Sequence, residues 1–202
     1  FSLTAIVCIG VAFFVGVSAS SQVMAKSVDT YDDETGLKDI TVYSDYGFSE
    51  KDIEAIQNLE HVSLAEGTYF VDVNASITGS TYVTRLHAYD PDTTINQVVL
   101  VSGRLPENEH EALSESQSGY HSRFEIGETV KLTRPDNDLS DFMSINEVTI
   151  VGTVETPLYL NLTKEDSTLS NQPLTTFLYI PKAAFNTDYY TEVNILLEDA
   201  KD

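Results

Sequence analysis

The sequence has 202 residues, 42% hydrophobic and 10% aromatic, which is enough apolar material for a folded core and too much for a disordered chain. It carries 11 basic against 32 acidic residues, a net charge of −21, and every acidic residue lies at or beyond Asp29. So acidic a surface repels phosphate backbones and anionic head groups, which excludes nucleic acid as a partner.

From Phe1 to Val17 there is no charged residue, and the first charge of either sign is Lys26. A largely apolar run of about 18 residues or more is long enough to cross a bilayer. Residues 1–25 are therefore read as the outer part of a transmembrane helix, one expected to start upstream of Phe1. The alternative is a secretory signal peptide, since Val17-Ser18-Ala19 before Ser20 fits the small-residue cleavage rule. The missing basic n-region and the length of the run favour an anchor. Both readings place residues from about 27 onward outside the cytoplasm. Cys8, the only cysteine, sits inside the run, so the outer part has no disulfide, which points to a bacterial cell surface.

Met24, Val28 and Tyr31 recur at helical spacing, and no breaker follows until Gly36, so a helical stalk over 26–36 is expected. Residues 37–202 form the outer domain, divided into two lobes at 37–100 and 101–202. Asp39 to Tyr43 reads as a strand. Ser49-Glu50-Lys51-Asp52 has the form of a capping box ahead of Ile53, Ile56 and Leu59. His61 to Asn74 reads as one or two further strands, which completes a β-α-β lobe. Thr81 to Tyr89 is expected to pair back through the turn Thr78-Gly79-Ser80.

In the second half, Gln97 to Ser102 is a β-branched run read as a buried strand. Strands are also expected within 125–132, 147–154, 177–180 and 192–197. Gly152 marks a bulge or a close backbone approach. Pro181 opens a short helical turn, while 134–146 and 161–173 are polar loops. The fold class is α+β and strand-rich.

No nucleophile elbow, zinc motif, C-x-x-C pair or phosphate loop occurs. His61, His87, His110 and His121 read as ordinary surface or strand residues. Asp136-Asn137-Asp138-Leu139-Ser140-Asp141 resembles the start of a calcium loop but lacks its glycine and its final glutamate, so it is read as a solvated acidic loop. The sequons at Asn74 and Asn161 are short enough to arise by chance. No catalytic, cofactor-binding or metal-ligating residue is assigned, and no cofactor is expected.

Four small motifs follow in order: Val101-Ser102-Gly103-Arg104-Leu105-Pro106-Glu107-Asn108, Phe124-Glu125-Ile126-Gly127-Glu128-Thr129-Val130, Val148-Thr149-Ile150-Val151-Gly152-Thr153-Val154 and Phe177-Leu178-Tyr179-Ile180-Pro181-Lys182. With the apolar helix in front, this order resembles the extracytoplasmic core domain of the FtsX-like and MacB-like ABC transporter permeases. The wording GVAFFVGVSAS and GRLPENEHEA is most similar to their large Gram-positive members. The resemblance implies a non-catalytic domain of a membrane-embedded, dimeric transporter that works with a cytoplasmic ABC ATPase subunit. It further implies ATP-driven work outside the membrane: peptide or antibiotic efflux, lipoprotein release, or cell-wall hydrolase activation, with an extracellular adaptor, hydrolase or peptide as partner. The residues themselves read as scaffold, with Gly103 and Gly127 permitting turns and Arg104 pairing a carboxylate. The rival reading is a secreted or anchored, non-catalytic binding module for a peptide or cell-wall component.

Overall fold

The computed structural model describes residues 2–116, 122–135, 138–159, 164–169 and 172–198. Helix α1 runs unbroken over Ser2–Thr35. Its 34 residues make a rod of roughly 50 Å at about 1.5 Å per residue. The part from Leu3 onward is long and apolar enough to cross a membrane. Small polar residues are tolerated because their hydroxyls bond the carbonyl one turn back, as Ser20 does to Gly16 at 2.8 Å and Thr30 to Lys26 at 2.8 Å. The helix stops at Gly36, which takes φ +63°, while the Leu37 N–H donates to the Asp32 carbonyl at 3.0 Å. That is a Schellman ending, at the glycine expected to stop the helix. Met24 and Val28 are exposed, so among the described residues none covers the apolar stripe at these two positions.

Strand β1 (Ile40–Phe48), helix α2 (Glu50–Gln57) and strand β2 (Val62–Thr68) follow as the sequence pattern predicts. At the start of α2 the Asp52 carboxylate accepts from the Ser49 N–H at 2.8 Å and from the Ser49 hydroxyl at 2.7 Å. Gln57 pins the helix to β2, accepting from the Ala65 N–H at 2.7 Å and donating to the Ser63 carbonyl at 3.2 Å. The β-α-β unit is nevertheless split. The last strand, β10 (Tyr190–Leu197), lies between β1 and β2 and is antiparallel to both. The chain therefore does not divide at residue 100: the end of the second half completes the sheet begun by the first.

The remaining strands are β3 (Phe70–Ile77), β4 (Ser80–Tyr89), β5 (Val99–Gly103), β6 (Glu111–Glu115), β7 (Thr129–Thr133), β8 (Glu147–Glu155) and β9 (Thr176–Pro181). Their sheet runs β5-β8-β6-β9-β4-β3-β7, and β7 also pairs with β8, which closes β7, β8, β6, β9, β4 and β3 into a barrel. Val73, Leu86, Phe124, Val130, Ile150, Leu178 and Ile180 fill its interior. The β3–β4 hairpin turns at Thr78-Gly79 as expected, with Gly79 at φ +82°. Tyr69 and Phe185, stacked at 5.4 Å, join the small sheet to the barrel.

Three expectations change. The run at 97–102 holds an exposed edge strand, β5, paired with the far half of β8; Val99, Leu100 and Val101 are 42%, 39% and 51% exposed. Strand β6, in a segment where no strand is expected, is central and buried. Finally, 134–146 is not wholly a polar loop, because Leu139, Met143 and Ile145 enter the core around a 3-10 turn at Leu139–Asp141. Gly152 does sit at a bulge: a Cβ there would lie 2.6 Å from the Arg104 carbonyl oxygen.

Candidate functional site

Helix α1 enters the domain through a joint built by a short strap, residues 93–97. The Asn96 N–H donates to the Gly36 carbonyl at 2.8 Å, and the Gln97 N–H donates to the Thr35 carbonyl at 2.8 Å. The Asn96 side-chain oxygen in turn accepts from the Lys38 N–H at 3.0 Å. The helix end thus finds fixed partners for its orphan carbonyls in the domain rather than in water. Glycine is required at 36 because a Cβ would lie 2.2 Å from the Thr94 carbonyl oxygen. The strap is tied to β2 by Glu66, whose carboxylate accepts from the Thr94 N–H at 3.2 Å, the Thr94 hydroxyl at 3.0 Å and the Thr93 hydroxyl. On its other side, α1 touches the 3-10 turn Pro157–Tyr159. Burial, then the nearby Glu155 and Asp32 carboxylates, raise the Tyr31 hydroxyl pKa.

Behind the joint lies a layer of buried charge and aromatic rings. Arg85 meets Asp72 bidentately at 2.8 and 3.0 Å and Glu165 at 2.7 Å, and it lies 4.6 Å over the Phe70 ring. Burial opposes charge on Asp72, but hydrogen bonds from Arg85 and the Thr168 N–H hold its carboxyl below the ordinary value. Lys164 pairs with Glu115 on β6 at 2.7 Å, and Thr176 donates to the same carboxylate at 3.0 Å. That pairing lets a glutamate sit in a central strand. His87 stacks on Tyr179 at 5.2 Å and lies 2.9 Å from the Tyr159 hydroxyl. Burial, helped by the positive charges of Arg85 and Lys38, pushes its imidazole pKa down to about 3, so it is neutral at physiological pH. Tyr159 stacks on Phe177 at 4.7 Å, so the 3-10 turn that α1 touches is itself packed on the barrel wall.

Burial lowers the Lys38 ammonium pKa against the pull of Glu192 and Glu165, and burial raises the Glu192 carboxyl pKa against Lys38 and Arg85. In this arrangement backbone hydrogen bonds, a buried ion pair and stacked rings connect the end of α1 to the barrel.

The sequence motifs fall around this layer as scaffold. Arg104 pairs with Glu111 at 2.7 and 2.6 Å; its hydrogen bonds, with one from the Glu107 N–H, hold the Glu111 carboxyl down to about 2. Gly103 and Gly127 take φ +80° and +95°. His61 and His110 are exposed beside Glu60 and Glu109, and His121 lies outside the described residues. Of the acidic loop, Asp136 and Asn137 also lie outside them, while Asp138 caps the 3-10 turn by accepting from the Ser140 N–H at 3.0 Å. Asn74 lies in β3 opposite Val83 of β4, and Asn161 is outside the described residues. Among the described residues no group of three or more His, Cys, Asp or Glu has a metal-binding arrangement.

Sequence reading missed the Asp72–Arg85 pair, yet its signal was present. The two residues are equidistant from the Thr78-Gly79 turn, so the hairpin register sets them opposite each other.

No protein-family model and no curated protein matches the sequence. Among solved structures, the chain is similar to the extracellular domain of the ABC-type transporter YknZ from Gram-positive bacteria, with TM-score 0.45 and 14% identity over 79% of this chain and 83% of that one. It is also similar to the periplasmic region of MacB from Actinobacillus actinomycetemcomitans, with TM-score 0.39 and 10% identity over 80% and 68%.

Proposed function

We propose that this chain is the outer domain of an ABC transporter permease, with 1–25 as a membrane span, 26–36 as a stalk and 37–202 outside the cytoplasm. An ATPase on a separate cytoplasmic chain drives it within a dimeric transporter, and the work is export or mechanical signalling outside the membrane. One observation carries the reading. A single helix runs without break from an uncharged apolar stretch to a joint where backbone hydrogen bonds and Glu66 lock it to the domain. A mere tether needs neither the continuity nor the lock. The order of the four small motifs behind the helix supports the same assignment.

Inserting Gly-Gly after Lys26 tests it, because each glycine costs a helix interior about 1 kcal/mol and adds a flexible joint. In cells carrying the whole transporter, the insertion should leave the protein folded and in the membrane with ATPase activity intact. The transport or hydrolase-activation phenotype should fall to that of the null strain. Unchanged function would sink the lever and leave an anchored binding module as the better reading.

A further inference from the structure

A cavity of about 550 Å³ opens between the small sheet and the barrel, floored by the strap. That volume suits a ligand the size of a few residues. Ile53, Val98, Leu105 and Leu158 supply apolar wall, and Tyr89 and Tyr190 supply rings. Glu50, Glu66, Asp90, Asp92 and Glu192 also line it, against a single cation, Lys182. Lys182 already lies 3.6 Å from Asp90 and 5.2 Å over the Tyr190 ring, so the chain's own ammonium occupies the cation-binding geometry that the cleft offers. The strap adds a different kind of group. Asn96 lines the cavity at 7% exposure, and its side-chain Nδ2 donor has no hydrogen-bond partner among the described residues. Buried amide donors are ordinarily paired, and a peptide carbonyl is an acceptor of the right kind.

We propose that this cleft binds a cationic, amphipathic peptide segment. Its ammonium or guanidinium group sits among Asp90, Asp92 and Glu50, an apolar side chain packs against Ile53, Leu105 and Leu158, and a backbone carbonyl accepts from Asn96. The same Asn96 holds Gly36 and Lys38, so occupancy tightens the strap on the end of α1. This second step rests on the permease reading, whereas the binding does not.

The test uses the full 202-residue chain in nanodiscs of zwitterionic lipid. The sequence contains no tryptophan, so a blocked Leu-Lys-Trp-Lys peptide reports its own binding by fluorescence anisotropy. The expected result is saturable binding that is absent from empty nanodiscs, with the charge-reversed Leu-Glu-Trp-Glu peptide weaker by about tenfold or more. The double variant D90N/D92N should weaken the lysine peptide by about tenfold without a change in melting temperature, and L105S should weaken it too. Glu60→Gln, exposed and away from the cleft, should leave binding unchanged. Equal binding of the two peptides, binding indifferent to D90N/D92N, or binding to empty discs alone would each overturn the site. Hydrogen exchange at the Asn96 and Gln97 amides should slow when the peptide binds; unaltered exchange in a saturated protein would overturn the coupling. The permease reading is judged separately, by the Gly-Gly insertion.

Discussion

His87 shows how much one side chain can depend on where it is buried. Its imidazole pKa falls from 6.5 to about 3 because burial and the charges of Arg85 and Lys38 penalise the protonated ring. Between those values the unfolded chain binds a proton that the folded chain refuses, so stability falls as the pH drops through that window. The full effect is on the order of 5 kcal/mol. Asp72 acts lower, because its depressed carboxyl withdraws stability only as the pH falls below its ordinary value of 3.8. Glu192, raised above 4.5 by burial, slopes the opposite way in the range just above that value. The urea midpoint of the native sequence should therefore fall between pH 7 and pH 5, and that of His87→Phe should fall clearly less; parallel curves would show that His87 is not the sensor. Arg85 sets a second test. Arg85→Met strands Asp72 as a buried, unpaired charge and should cost about 3–5 kcal/mol in urea unfolding. Adding Asp72→Leu should restore part of the loss, since the stranded charge is then gone.

Among the elements, α1 and the β3–β4 hairpin were the most legible, because each is written in local signals. An uncharged run without proline and a glycine stop define the helix, and a glycine turn between alternating strands defines the hairpin. Strand β6 was hidden because Ser114 and Glu115 look like surface residues until Lys164 and Thr176 are seen to satisfy the carboxylate. Strand β5 was misjudged for the converse reason. An apolar β-branched run states a preference for burial but not which layer arrives to cover it. The joint itself was legible only as the glycine at position 36. Gly36→Ala forces a side chain into a left-handed backbone, at about 1–2 kcal/mol, and into contact with the Thr94 carbonyl. The helix should survive and the strap should yield. Hydrogen exchange at the Asn96 and Gln97 amides should quicken while the barrel amides keep their protection; unchanged strap protection would mean that the clamp does not depend on this close approach.

At the scale of the whole molecule, the deciding event is the return of the last strand to the first. Nothing local in Tyr190 to Leu197 announces that it belongs between β1 and β2, since its alternation would suit any half-buried sheet. The barrel closes without β10, through β3, β7 and β8. The small sheet has no such closure. Its cluster takes Tyr190, Val193 and Ile195 from β10, and the Tyr190 ring packs so closely on Gly67 that a Cβ there would lie 2.6 Å from it. With β10 gone, β1 and β2 lose their common partner, and Glu66, which holds the strap, loses its strand neighbour Asn194. Truncation after Thr187 should therefore act unevenly. The barrel should keep slow hydrogen exchange, residues 37–68 should become sites of limited proteolysis, and the end of α1 should loosen with them. A peptide spanning 188–198, added in trans, should refill the slot and restore protease resistance to 37–68. If the truncated chain keeps that segment protected on its own, β1, α2 and β2 form a free-standing unit, and the last strand is an accessory rather than the keystone of the small sheet.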